Sequence, residues 1–294
     1  GVQFTSRGIQ TQVVVNPEVD FASHDTTVLV VDTETRHLPA SQAYDIVARL
    51  TEKAHRAGVR YIYKKTDSAL RGNIGAELAA ALKGSGEKQL SFIPAFPQID
   101  RVTRQGIHYI GGTPVAESPF GKDPFEPVRY SRVTELIASQ CGLSAASLPA
   151  LTGGESIPED KQILVFDSES IEDLCRTGRQ LAKEGRLEVL AGCAGFAAVL
   201  PELLGIDSGH FVPVPHLDPR LLVICGSVNP ITTAQMDYAE QKGFQRMRLS
   251  PRQKLEPGYW QTEESRELLA SIEEMLSKYP RCIIETNDQG SNQP

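Results

Sequence analysis

Short apolar runs and helix-period stretches alternate along the first two hundred residues. The runs TQVVV (11–15) and TVLVVD (27–32) read as strands. Apolar positions at Ala43, Ile46, Val47, Leu50, Ala54 and Ala57 then follow the i, i+3, i+4 spacing of one helix face, and Gly58 closes it. A third strand is expected over Val59–Tyr63 (VRYIY). Ile74, Leu78 and Leu82 mark a short helix expected to finish at Gly84, and QLSFIPA (89–95) supplies another strand. The opening GVQFTSRG reads as the last turns of a helix ended by Gly8 in the left-handed position. Strands alternating with helical periods predict βαβ units and a mainly parallel sheet covered on both faces. In such sheets ligands sit beyond the carboxyl ends of the strands.

The rhythm breaks at HYIGGTPVAESPFGKDPFEP (108–127), where the Gly111-Gly112 pair signals a hairpin and prolines at 119, 124 and 127 an irregular loop. It resumes with a helix near Val133–Gln140, the strand QILVFD, a helix over Ile171–Lys183 and one from Ala194 toward Leu204. GHFVPVPHLDP, with three prolines and no helical period, reads as a linker. Beyond it come a strand, tight turn and helix in LLVICGSVNPITTAQ, then FQRMRL, a helix around 263–278, and RCIIET. The expected fold class is α/β: two doubly wound domains, 1–208 and 220–294, joined by 209–219, the second incomplete in this chain.

Composition narrows the function classes. A length of 294 residues fits about two domains of ~100–200 residues each. A formal charge of -7 argues against a nucleic-acid surface, whose footprint is a basic patch. The five scattered cysteines form no CxxC pair, so no disulfide or structural-metal scaffold is expected, and a reducing cytoplasm fits. Apolar runs stay far below the ~18 residues of a membrane span. Because the chain opens inside a helix, the text leaves a preceding segment open.

The densest chemistry lies in YKKTDSALRGN (63–73), at a strand's carboxyl end. Strand alternation places Lys65 and Asp67 on one side, Lys64 and Thr66 on the other. Arg71, Gly72 and Asn73 fall at a helix start, where free N–H groups and the helix dipole favour an anion. Together these groups suit a carboxylate or phosphate, with Asp67 holding hydroxyls or acting as a base. An ammonium neighbour, Lys65, is expected to lower the Asp67 pKa and make it a poor base. A surface ion pair with an N-cap accounts for the same letters equally well; placement at a strand end favours the ligand. Arg36, in DTETRHLPAS, could clamp a carboxylate from a neighbouring strand end. The hairpin could bring His108 to the same pocket, although a lone histidine is more often structural. In CGSVNP, Gly226 permits close backbone approach and Ser227 offers a hydroxyl to a phosphate. There is no GxxxxGK[ST] and no GxGxxG, which excludes a P-loop and disfavours a dinucleotide domain.

The blocks YKKTDSALRGNIGAEL, IPAFPQIDRVTRQGIHYIGGTPVAESPFGKDP, GCAGFA and CGSVNPITTAQ, in that order, resemble the four-carbon acid sugar kinases. The resemblance implies an N-terminal acid-sugar-binding domain, a C-terminal nucleotide-binding domain, and ATP-dependent phosphorylation of the terminal hydroxyl of D-threonate, D-erythronate or a 3-oxo-tetronate. It implies acid contacts at Arg36, Lys64, Lys65, Thr66 and Asp67 and an ATP contact at Ser227, with Mg2+ bridging the nucleotide phosphates. Its partners are small molecules, with neither nucleic acid nor membrane, and homodimerisation is left open. Family members open with Asp-Asp-x-Thr-Gly-Ala and close with a glycine-rich nucleotide loop. Neither stands in this chain, so pieces of the protein are expected to be missing. The general base is then either Asp67 or an aspartate of that opening motif. Two other readings share the anion-holding residues: a sugar-acid-binding protein without chemistry and an NAD-dependent sugar-acid dehydrogenase.

Overall fold

The computed structural model describes residues 1–15, 18–123, 126–153, 155–206 and 218–287. Contacts divide the chain into two compact units, Gly1–Val212 and Pro213–Pro294. Apart from Asp218 and Pro219, the expected linker 209–219 lies outside the described residues.

The first unit runs α1 (Val2–Thr5), β1 (Thr11–Val14), β2 (Val28–Val31), α2 (Ala40–Arg56), β3 (Ile62–Lys65), α3 (Ile74–Ser85) and β4 (Leu90–Ile93). It continues with β5 (Arg101–Arg104), β6 (Ile107–Ile110), β7 (Thr113–Pro114), α4 (Val133–Gln140), β8 (Ala145–Leu148), β9 (Ile163–Phe166), α5 (Ile171–Lys183), β10 (Val189–Gly192), α6 (Ala194–Ala197) and α7 (Leu200–Leu203). Five of the strands form a parallel sheet in the order β3-β10-β4-β9-β8. The interior strands β4, β9 and β10 are buried along their whole length, as expected of a sheet covered on both faces. One apolar core joins Phe92, Val165 and Ala191 to Leu78, Leu82 and Ile137 of α3 and α4. The other joins Leu164, Phe166 and Leu190 to Leu174, Leu181 and Phe196 of α5 and α6.

The α/β architecture expected from the pattern is present, with four local corrections. β1 and β2 pair with each other in a separate two-stranded parallel sheet. The third strand begins at Ile62 because Val59 still donates its N–H to Ala54 O and belongs to the end of α2. The strand therefore carries Lys64 and Lys65 within it. Gly84 does not end α3; Gly86, at φ 76°, does. A Cβ on Gly84 would lie 2.7 Å from Ala48 O and from Thr51 Cβ, so this glycine lets α3 touch α2. The helix expected from Ala194 breaks into α6 and α7, since Pro201 has no N–H to offer a preceding carbonyl.

Between β4 and α4 the chain inserts an antiparallel sheet, β5-β6-β7. The Gly111-Gly112 hairpin joins β6 to β7, but the longer pairing is β5 with β6, through Gln105 and Gly106, both at positive φ. Positive φ at both central positions is the backbone of a type I′ turn, which Gln-Gly signals less strongly than Asn-Gly. This hairpin is fastened to the end of β9 by reciprocal backbone bonds between Thr103 and Ser168, 3.0 and 2.9 Å long.

The second unit contains β11 (Leu221–Cys225), α8 (Pro230–Gln241), β12 (Gln245–Arg248), α9 (Pro251–Leu255), α10 (Glu263–Lys278) and β13 (Arg281–Glu285). Its strands are parallel in the order β11-β13-β12. Met275, Cys282 and Ile284 form its core.

Candidate functional site

Alternation along β3 sends its last two lysines to different fates. Lys64 turns toward α3 and pairs with Glu77 Oε2 at 2.5 Å, both side chains largely buried, while Thr35 donates its hydroxyl to Glu77 Oε1. Lys65 is exposed and has no ion-pair partner among the described residues. Thr66 donates its backbone N–H to Gly192 O, and its buried hydroxyl has no hydrogen-bond partner among the described residues.

The turn after the strand is organised around Asp67. Its carboxylate accepts from Arg71 Nε (3.0 Å) and Nη2 (2.9 Å), from Arg36 Nη2 (3.0 Å), and from the N–H groups of Ala69 (3.0 Å) and Arg71 (3.3 Å). Burial alone would raise this carboxyl's pKa; the hydrogen bond and charge of Arg71, the Ala69 N–H and the Arg36 charge outweigh it and hold the pKa below the usual value. The expected lowering is therefore present, but its source is two guanidinium groups, not Lys65. Leu70 follows at φ 61°, a left-handed conformation unusual for a branched side chain. Gly72, at φ 85°, lies so close to Arg36 that a Cβ there would sit 2.9 Å from Arg36 Cγ. Asn73 ties the two segments together by donating to Thr35 O (2.9 Å) and Leu38 O (2.8 Å).

His108 does not reach a ligand pocket. Its side chain lies fully buried beneath the turn, with Nε2 2.9 Å from Ser68 O and Nδ1 3.0 Å from Thr103 Oγ1. Burial, only partly offset by the Ser68 bond, lowers its pKa to about 4, so the ring is neutral near pH 7. Arg101 donates to the Ser68 hydroxyl, and the Phe120 ring packs against the guanidinium groups of both Arg71 (5.0 Å) and Arg101 (5.1 Å). A cavity of about 300 Å3 opens beside Arg36, lined also by Gly72, Asn73, Arg129, Tyr130 and Gln140.

The structure thus gathers Arg36, Asp67 and Arg71 into one contact cluster, with Lys65 and Thr66 just before it on the chain. It turns Lys64 aside to Glu77 and places His108 underneath. Glu77, Arg101, Phe120 and Gln140 take part without having been singled out from sequence. Their partners are remote, as in Gln140, which accepts from Gly75 N–H and donates to Gly72 O across some 65 residues. A lone Glu in an alanine-rich helix was the one available signal, since such a residue is buried only when paired.

In the second unit, Gly226 and Ser227 follow β11. Ser227 Oγ accepts from Asn229 N–H (3.2 Å) and donates to Thr232 Oγ1 (3.3 Å); the Asn229 side chain caps Ile231 N–H (2.9 Å), with Pro230 opening α8. Asn287 donates to Ser227 O, and a Cβ on Gly226 would lie 3.3 Å from Thr286 Oγ1.

A guanidinium cluster, with a lysine that has no ion-pair partner among the described residues, stands at one strand's carboxyl end of a parallel α/β sheet, a charge arrangement suited to a small anion. Residues 1–200 match the family described as the sugar-binding N-terminal domain. The D-threonate kinase of Salmonella typhimurium is 32% identical over 253 residues, covering 83% of this chain and 58% of that protein. The D-threonate kinase of Bordetella bronchiseptica is 35% identical over 205 residues, covering 68% and 50%. A solved domain of unknown function from Bordetella bronchiseptica, a domain-swapped dimer with bound citrate, shares 27% identity at a TM-score of 0.61, covering 100% of this chain and 72% of its own. The chain belongs to the four-carbon acid sugar kinase family, through its sugar-binding N-terminal domain. The match spans 58% and 50% of the lengths of the two D-threonate kinases.

Proposed function

We propose that the protein phosphorylates the terminal hydroxyl of a four-carbon sugar acid such as D-threonate or D-erythronate, using ATP. The observation that carries this reading is the cationic cluster of Arg36 and Arg71 around Asp67, next to unpaired Lys65, in a chain of the sugar-binding family. Lys65 and Arg36 would hold the acid's carboxylate, and the Thr66 hydroxyl, buried and unpartnered among the described residues, is a candidate contact for the sugar. The citrate of the Bordetella structure, a carboxylate ligand, supports the same reading. In the transfer, the substrate's terminal oxygen bonds to the γ-phosphorus, the bond to the β,γ-bridging oxygen breaks, ADP leaves, and the hydroxyl proton passes to a base. Asp67, saturated by five donors and held ionised by Arg71 and Arg36, fits the role of orienting those guanidinium groups better than that of base. The base is then proposed to be an aspartate of the family's Asp-Asp-x-Thr-Gly-Ala motif.

The second unit is proposed as part of the nucleotide site, with the Ser227 hydroxyl and Gly226 facing ATP. Mg2+ would come with the nucleotide, bridging its phosphates; among the described residues no three His, Cys, Asp or Glu side chains converge on a metal position. Among the same residues no helix is long and apolar enough to cross a membrane, and ATP use fits a cytoplasmic enzyme. The domain-swapped neighbour makes a homodimer the proposed assembly. The test is ADP release by the whole protein with MgATP and threonate, erythronate or the neutral tetritol. The acids should turn over and the tetritol should not, since each lost charge-assisted contact costs ~1.5–3 kcal/mol. Comparable kcat/KM for the tetritol would overturn the assignment.

A further inference from the structure

The Asp67 turn is held in place by a hairpin inserted elsewhere in the chain. Two side chains of that hairpin grip one residue: His108 binds the Ser68 carbonyl and Arg101 the Ser68 hydroxyl. Ser68 lies between Asp67, which orients Arg36 and Arg71, and Leu70, which sits at positive φ. A non-glycine residue in that region persists only where its surroundings over-determine it. The grip has a fixed chemistry. A carbonyl oxygen can only accept, so His108 Nε2 carries the proton, and Nδ1 of the neutral ring accepts from the Thr103 hydroxyl. Thr103 faces His108 in the β5–β6 register and is bonded through its backbone to Ser168, at the end of β9. Hydrogen bonds thus link Ser168, just past β9, to Thr103, and run from the Thr103 hydroxyl through His108 to the carbonyl of Ser68, the residue that follows Asp67.

We propose that His108 is a positioning residue: its buried Nε2–H fixes the Ser68 carbonyl, and through it the orientation of Asp67 and of the two guanidinium groups that receive the acid. His108 touches neither substrate. The proposal rests on the acid-binding reading of the Arg36, Asp67 and Arg71 cluster, and its test separates the two.

Glutamine can place an amide N–H near the position of Nε2, whereas asparagine reaches only as far as Nδ1. In the whole protein, His108→Asn should weaken threonate binding in calorimetry by about tenfold and raise KM by a similar factor, with kcat within about threefold and ATP affinity unchanged. His108→Gln should stay within about threefold of the parent in every constant. Hydrogen exchange of amides 67–72 should be faster in His108→Asn, with β4 and β9 unaffected. Ring 15N shifts of the unsubstituted protein should show the Nε2–H tautomer, with no titration between about pH 5 and pH 8. A parent protein that binds neither threonate nor erythronate sinks the acid-binding reading, while exchange and 15N shifts still judge the clamp. The clamp is overturned if His108→Asn binds threonate normally with unchanged exchange, or if acid and ATP affinities fall together with exchange rising throughout. An Nδ1–H tautomer overturns it without any variant.

Discussion

The turns after β3 and β11 have the same outline, a strand handing over to a helix through small and polar residues, yet they are built in opposite ways. After β3, the polar groups find partners far along the chain: Arg36 reaches Asp67, Thr35 reaches Glu77, and Ser68 is held by Arg101 and His108. After β11, Ser227 and Asn229 mostly satisfy each other and the first turn of α8, and the distant partners among the described residues are the neighbours Thr286, on Cys225 O, and Asn287, on Ser227 O. The first turn is preorganised and cannot relax without disturbing a core. The second is closed locally, and its hydroxyl can exchange a weak internal bond for a ligand at small cost.

The sharpest break of this contrast is Lys64→Met. It leaves Glu77 charged and largely buried beside Thr35 alone, and should cost ~3–5 kcal/mol in urea denaturation. Next comes Asp67→Asn, which sets Arg36 against Arg71 without an intervening charge and should cost ~1.5–3 kcal/mol, with acid binding impaired. Its pH dependence has a definite sign. The folded-state pKa of Asp67 is lowered, so its stabilisation is fully present above the ordinary carboxylate value and is lost as pH falls through the lowered one. Urea midpoints measured from pH 6 downward should therefore fall less in Asp67→Asn than in the parent; parallel profiles would contradict the geometry. Lys65→Met should leave stability within about 0.5 kcal/mol while threonate affinity drops about 10- to 100-fold in calorimetry. The smallest effect belongs to Ser227→Ala, which should weaken ATP about two- to tenfold and leave threonate binding unchanged, in line with one neutral hydrogen bond.

Much of this was legible in the residue pattern because it is local. The 3.6-residue period of α2, the apolar β4 and β9, and the Pro230 start of α8 each follow from neighbouring letters. Strand alternation separates Lys64 from Lys65 without reference to anything distant. It does not reveal which of the two is turned inward, since that depends on Glu77, thirteen residues after Lys64, and on Thr35 before it. His108 read as a candidate ligand contact because a hairpin histidine can face either way. Only the position of the Asp67 turn above it decides the matter. The β5–β6 turn escaped because Gln105 adopts positive φ with no sequence mark beyond its neighbour Gly106.

The bond between Thr103 and Ser168 has a consequence for how the molecule comes into being. The clamp on Ser68 needs the hairpin, and the hairpin's anchor lies on a residue made a hundred positions after Ser68 itself. A nascent chain that has exposed only β3 and α3 holds the letters of the proposed acid site but lacks the hairpin that clamps Ser68. Contacts of such separation carry a loop-closure cost, so the clamp is expected to form after the sheet has closed around β9. If the cluster binds the acid as proposed, an acid ligand added during refolding should leave the early phases unchanged and stabilise only the final one.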